Sequence, residues 1–122
     1  MSVETFTSGP LTLEVEEATE AISVRWRGKS TAREPAPFLV PILCQALNRC
    51  IATGRRLELD FRPAEYFNSS TITPIIRLLD MAKHGPAWVR IVYNKNVKWQ
   101  ALSFSALQIF QGEDGRITIE GV

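Results

Sequence analysis

The sequence predicts one mixed α/β domain with the element order β-β-α-β-α-β-α-β. Two early segments, residues 11–16 and 21–28, alternate apolar and polar residues as half-buried strands do, with a short polar link between them. Farther along, the hydrophobic period lengthens to helical spacing three times, and each such stretch is followed by a short strand-like run. Helices and strands alternating at these lengths imply right-handed crossovers and a mostly parallel or mixed sheet, to which the opening hairpin adds antiparallel pairing.

Residues 1–10 are polar, carry Gly9-Pro10, and are expected to form a flexible N-terminal segment. The strands 11–16 and 21–28 follow, then a polar, proline-containing loop over 29–37. In residues 38–53, Phe38, Ile42, Ala46 and Cys50 recur every fourth position beside Leu39, Leu43 and Leu47, a broad apolar helical face closed by Gly54. Pro41 is tolerable only in a first turn, so the regular helix is expected to start near Pro37 or Phe38. Leu57-Glu58-Leu59-Asp60-Phe61 reads as a strand, and residues 62–67 carry the chain to Asn68-Ser69-Ser70-Thr71. A second amphipathic helix holds Ile72, Ile75, Ile76, Leu79 and Ala82, and Lys83-His84-Gly85-Pro86 is its stop signal. Residues 88–93 form the next strand. A third helix covers 97–110 with Trp99, Leu102, Ala106 and Phe110 on one side, and residues 117–120 close the sheet.

Bulk properties bound the function. The chain of 122 residues is 45% hydrophobic, which suits a single domain, 1–122, with one core. Its 14 basic and 13 acidic residues are dispersed and leave a net charge of +1, so the basic stripe of a nucleic-acid partner is missing. Cys44 and Cys50 lie six apart on one helix, about 240° around its axis, and cannot bridge each other. Free thiols and the lack of an apolar leader point to a reducing cytoplasm. No stretch approaches the roughly 20 apolar residues of a membrane span. Trp26, Trp88 and Trp99 fit core or interface equally well by periodicity.

Catalysis finds little support. The chain has one histidine, His84, at a helix stop where its ring can meet the last carbonyls. A triad of Ser69, His84 and Asp60 fails because Ser69 and His84 flank opposite ends of a helix roughly 20 Å long. One histidine and two divergent cysteines do not make a zinc site. No phosphate-cradling glycine motif is present. Asp60 could contact a metal or phosphate, but a solvated or capping carboxylate is the simpler reading. The expectation is a protein that is not an enzyme and carries no metal or cofactor.

The junction is more informative. Asn68-Ser69-Ser70-Thr71-Ile72-Thr73-Pro74 places four hydroxyls and an amide between a strand and a helix. Capping consumes one or two of them and stabilises a helix by about 1 kcal/mol. The Pro74 ring would meet the Ser70 carbonyl inside a helix, so the helix is expected to begin no earlier than about Thr71, leaving Ser69 and Ser70 exposed and surplus to capping. Strand-to-helix loops are where open α/β sheets carry their sites. A phosphate on Ser69 would add about −1.5 to −2 charges near the positive end of the helix dipole, which the domain tolerates. A partner docked there would meet desolvation and repulsion. Such an asymmetry suits a reversible switch.

The element order, the segment Leu57-Glu58-Leu59-Asp60-Phe61, and Asn68-Ser69-Ser70 opening the second helix together resemble the STAS domains, especially the anti-sigma-factor antagonists and their biofilm-regulating cousins. The resemblance covers nearly the whole chain in element order and is sharpest over residues 57–79. It implies a STAS-like fold and a Ser or Thr after an Asp or Asn that a partner Ser/Thr kinase of the anti-sigma type phosphorylates. A PP2C-type phosphatase reverses the modification, and the unmodified form binds its partner. Carried over by position, Asn68 matches the Asp or Asn, Ser69 the acceptor, and Ser70 the adjacent hydroxyl, with Ser70 and Thr71 as alternate acceptors. Tyr66 and Phe67 resemble the apolar approach of the biofilm branch. With Asn68, Ser70 and Thr71 they form the expected partner-binding surface. Antagonists commonly have Gly-Leu where this chain has Thr71-Ile72, whose β-branched side chain blocks close backbone approach. Two other readings stay open: a STAS-type domain sensing a small anion or nucleotide, and a structural subunit whose hydroxyls only cap.

Overall fold

The two alternating segments become an antiparallel hairpin in the computed structural model, which describes residues 2–122. In it β2 (Leu11–Glu17) and β3 (Ala21–Ser30) set Leu13 opposite Trp26 and Val15 opposite Val24. The remaining strands are β1 (Ser2–Ser8), β4 (Arg56–Asp60), β5 (Ala64–Phe67), β6 (Val89–Tyr93) and β7 (Ile117–Gly121). The helices are α1 (Ala36–Thr53), α2 (Ser69–His84) and α3 (Lys98–Ser105), the last running into a 3-10 turn over Ala106–Phe110. The sheet order is β1-β2-β3-β4-β6-β7, antiparallel up to β3 and parallel beyond it. The fold is thus the mixed α/β class that the sequence predicts.

Alternation in every strand separates two faces. Leu13, Val24, Trp26, Leu57, Leu59, Ile91 and Ile119 point into one core with Leu39, Leu43 and Leu47 of α1, Ile75 and Leu79 of α2, and Phe104 of α3. Among the described residues no helix covers the opposite face. It carries Glu14, Glu16, Arg25, Glu58, Asp60 and Arg90 around a shallow trough of 280 Å³.

Four expectations need correction. Of the segment 1–10, Met1 lies outside the described residues, and Ser2–Ser8 form β1, paired with β2 along its whole length. Thr and Val at alternate positions in β1 suit an edge strand, and Gly9 makes the tight turn at φ 57°. Residues 62–67 hold a further strand, β5, which pairs with the end of β3 beyond β4. Helix α1 begins at Ala36, so Pro41 lies past its first turn. The helix starts on Pro35 O, which accepts from the Phe38 and Leu39 N–H groups. The third helix buries Gln100, Phe104 and Leu107, whereas Leu102 and Ala106 face solvent, because the core-facing side of α3 is set by Gln100 and Phe104, and Leu102 lies about 200° around the helix from either.

Some sequence signals act as expected. Gly54 closes α1 in the left-handed conformation, φ 68°, with its N–H on Cys50 O. Among the described residues α1 is the one helix with the length and apolarity of a membrane span. Its Leu39, Leu43, Leu47 and Cys50 face the core, however, and Gln45, Asn48 and Arg49 face out. Cys44 and Cys50 are both free, and burial pushes the Cys50 thiol up. Helix α2 ends at His84, yet Gly85 is extended (φ −118°) and does not make a left-handed cap. The Arg116 guanidinium closes that end instead, donating to Ala82 O (3.0 Å), Gly85 O (2.6 Å), Ala87 O (3.0 Å) and Lys83 O (3.2 Å).

Candidate functional site

The junction is held by three supports, each from a different element. The first is the β3–β5 pairing. Gly28 lies at a register shift in β3 with φ +82°, and a Cβ there would fall 2.1 Å from Pro10 O, so only glycine lets β3 turn this close to the β1–β2 hairpin. Beyond it Lys29 pairs with Tyr66 and Ser30 with Phe67, and the Asn68 N–H donates to Ser30 O at 3.0 Å.

The second support is Gln100, a fully buried polar side chain of α3. Its Nε2 donates to Phe61 O and Ala64 O, both at 2.9 Å, and its Oε1 accepts from the Asn94 N–H at 2.8 Å. These bonds satisfy the carbonyls freed where the chain breaks between β4 and β5. Asp60 shapes the same break. Its carboxylate accepts from the Arg62 N–H (3.1 Å), Nε (2.9 Å) and Nη2 (2.9 Å), with Arg25 at 3.5 Å. Burial alone would raise the Asp60 pKa, but the Arg62 hydrogen bonds and the charges of Arg62 and Arg25 outweigh it and hold the carboxyl below its ordinary range. Asp60 is therefore committed to the turn.

The third support is a buried chain of side-chain hydrogen bonds. Asn68 is the N-cap of α2: its Oδ1 accepts from Thr71 N (3.1 Å) and Thr71 Oγ1 (2.6 Å), and its Nδ2 donates to Ala32 O (2.8 Å). An amide oxygen can only accept, so the single Thr71 hydroxyl proton points at Asn68. The Ser30 hydroxyl, 2.6 Å away on the other side, must then donate to Thr71 Oγ1. An amide at position 68 has a physical reason here, since an ionised Asp would have nothing to donate to Ala32 O.

This geometry revises the expected site. The helix begins at Ser69, not near Thr71, and the cap falls on Asn68 instead of a hydroxyl. Pro74 is the sixth helical residue, and its ring is accommodated within α2. Ser69 and Ser70 occupy the first two helical positions, and both are exposed. Tyr66 is 47% exposed. Two members of the expected partner surface do not reach it. Phe67 is 9% exposed and packs among Trp26, Phe61, Trp99 and Phe104, with ring centroids 5.3–6.2 Å away. Thr71 is 0% exposed and tied to Ser30, so it serves the fold and offers no free hydroxyl as an alternate acceptor. Residue spacing could not reveal Ser30 and Gln100, because their partners lie 36–41 positions away.

The other candidates fall apart spatially. Ser69 and His84 begin and end α2, about 22 Å of helix rise apart. The His84 ring is exposed, with Nδ1 2.9 Å from Asp80 O, the carbonyl contact expected at a helix end. Among the described residues no three His, Cys, Asp or Glu side chains converge as metal ligands.

Comparison with protein-family models and with curated sequences returns no match. Among solved structures, SiaC of Pseudomonas aeruginosa is similar over 100% of both chains. The TM-score is 0.64 and the sequence identity is 21%. At that identity the likeness shows the fold.

Proposed function

We propose that this chain is a protein-binding switch in bacterial signalling, in which the unmodified form binds a partner and phosphorylation of Ser69 releases it. The observation that carries the reading is the division of labour at the junction. Asn68 caps the helix, Thr71 is buried, and the Ser69 hydroxyl stands exposed at the first helical position with no structural duty. The first turn of α2 contains no acidic residue, so a phosphate there meets an uncompensated helix dipole and leaves the fold intact. Tyr66 and Ser70 flank Ser69, and Thr73 and Ile76 continue the exposed stripe along α2. A partner seated on that stripe would cover the modified group.

Support also comes from the likeness in fold to SiaC of Pseudomonas aeruginosa. The resemblance in the junction residues implies a Ser/Thr kinase of the anti-sigma type and a PP2C-type phosphatase as partners. The proposal gives the chain itself no catalytic step. Phosphopeptide mass spectrometry after incubation with the cognate kinase is expected to place the modification on Ser69. Pull-downs should retain the partner with wild type and Ser69→Ala and lose it with Ser69→Glu. Modification confined to other residues, or a Ser69→Glu protein that binds as well as wild type, would sink the reading.

A further inference from the structure

Of the three tryptophans, Trp26 is in the core and Trp99 packs at its rim, whereas Trp88 is 53% exposed. Its backbone is firmly held, for the Leu57 N–H donates to Trp88 O at 2.8 Å, so the ring projects from an ordered position where β6 begins. Two grooves flank it. One, of 420 Å³, is walled by Ile51, Pro86, Ala87 and Trp88, with Glu20, Arg55 and Arg56 also in its lining. The other, of 290 Å³, is lined by Trp88 together with Arg56, Arg90 and Arg116, whose carboxylate partners Glu58, Glu120 and Asp114 lie outside its lining. Arg116 is occupied by the carbonyls at the end of α2, but Arg56 and Arg90 are half-exposed and each holds a single surface ion pair, with Glu58 and Glu120. Such exposed pairs contribute little and exchange readily for a better carboxylate.

We propose that the Trp88 surface is a second protein-docking site, which takes an acidic peptide segment bearing a bulky apolar side chain. The apolar side chain fits the groove beside Trp88, Ile51 and Pro86, and the neighbouring carboxylates meet the Arg56 and Arg90 guanidiniums in the other groove. Exposed Trp and Arg are the residue types that dominate binding hot spots. A peptide suits the site better than a lipid surface, because Trp88 walls two concavities and does not crown a protruding apolar face. The site lies just past the C-terminal end of α2, a helix length of about 22 Å from Ser69. Docking there is therefore independent of the Ser69 state and does not rest on the switch reading.

The test is selection of a random dodecapeptide display library on the whole protein, followed by fluorescence titration of the enriched synthetic peptide. Enriched sequences are expected to place Asp or Glu next to Leu, Phe or Trp. Trp88→Ala and Arg90→Gln should each weaken binding by about tenfold or more, and added salt should weaken it further, whereas Ser69→Glu should change nothing. Enrichment without that acidic-apolar pattern, or a peptide that binds Trp88→Ala as tightly as wild type, overturns the proposal. Sedimentation with phosphatidylglycerol vesicles is the second arm. Wild type pelleting with vesicles while Trp88→Ala stays in solution would assign the surface to lipid and overturn the peptide assignment.

Discussion

Replacing Thr71 by Val tests the hydrogen-bond chain beneath the junction. The substitution keeps the β-branched shape, so no cavity opens, and it removes one hydroxyl that serves two neighbours. Asn68 Oδ1 loses the Thr71 O–H but keeps the Thr71 N–H. Ser30 loses its acceptor and, at 2% exposure, cannot turn to bulk water. A buried donor left without a partner costs about 1–3 kcal/mol. With an unfolding entropy of about 2.1 cal/mol/K per residue, the 122-residue chain loses about 8 °C in Tm for a cost near 2 kcal/mol. Ser30→Ala removes the donor and leaves the Thr71-to-Asn68 bond, so it should cost about 1 kcal/mol or less. The double variant contains no orphaned Ser30 proton and should be more stable than Thr71→Val alone by about 1 kcal/mol. Urea melts with unchanged m-values measure all three. If Thr71→Val melts with wild type, or the two substitutions simply add, the inferred direction of the hydroxyl protons is wrong.

Two further predictions concern the neighbouring polar groups. Asn68→Ala removes both the cap and the Ala32 anchor and should cost about 2 kcal/mol. Asn68→Asp keeps the cap, gains the helix dipole and loses only the anchor, so thermal melts should place it between Asn68→Ala and wild type. Asp60 titrates with its folded pKa lowered, so its contribution is fully present above the ordinary carboxylate range and is lost as pH falls through the lowered value. Arg25 and Arg62 are half-exposed and solvent-screened, which limits the cost of Asp60→Asn at neutral pH to about 1 kcal/mol. The gap between the two proteins should close on acidification, and a gap that is constant down to acid pH would contradict the ion-pair origin of the effect.

Local pattern alone determined most of the architecture: period-two alternation for β2 and β3, the four-residue repeat of α1, the Gly54 stop and the strand-helix order that requires crossovers. It also singled out residues 66–71, because hydroxyls clustered between a strand and a helix are visible without a fold. Tertiary structure decided which of them are free. Phe67 looked like a surface approach, yet it is core because Trp26 and Trp99 arrive from β3 and α3 to cover it. Thr71 is spent on Ser30, 41 residues away, and Asn68 on Ala32, 36 away. The same holds for β1, whose polar sequence becomes a strand only because β2 offers it a paired edge, and for Trp88, whose periodicity fits a core as well as a surface. Periodicity reports which face of an element is apolar. What covers that face, and which hydroxyl finds a distant partner, depends on contacts that form only when the chain closes on itself.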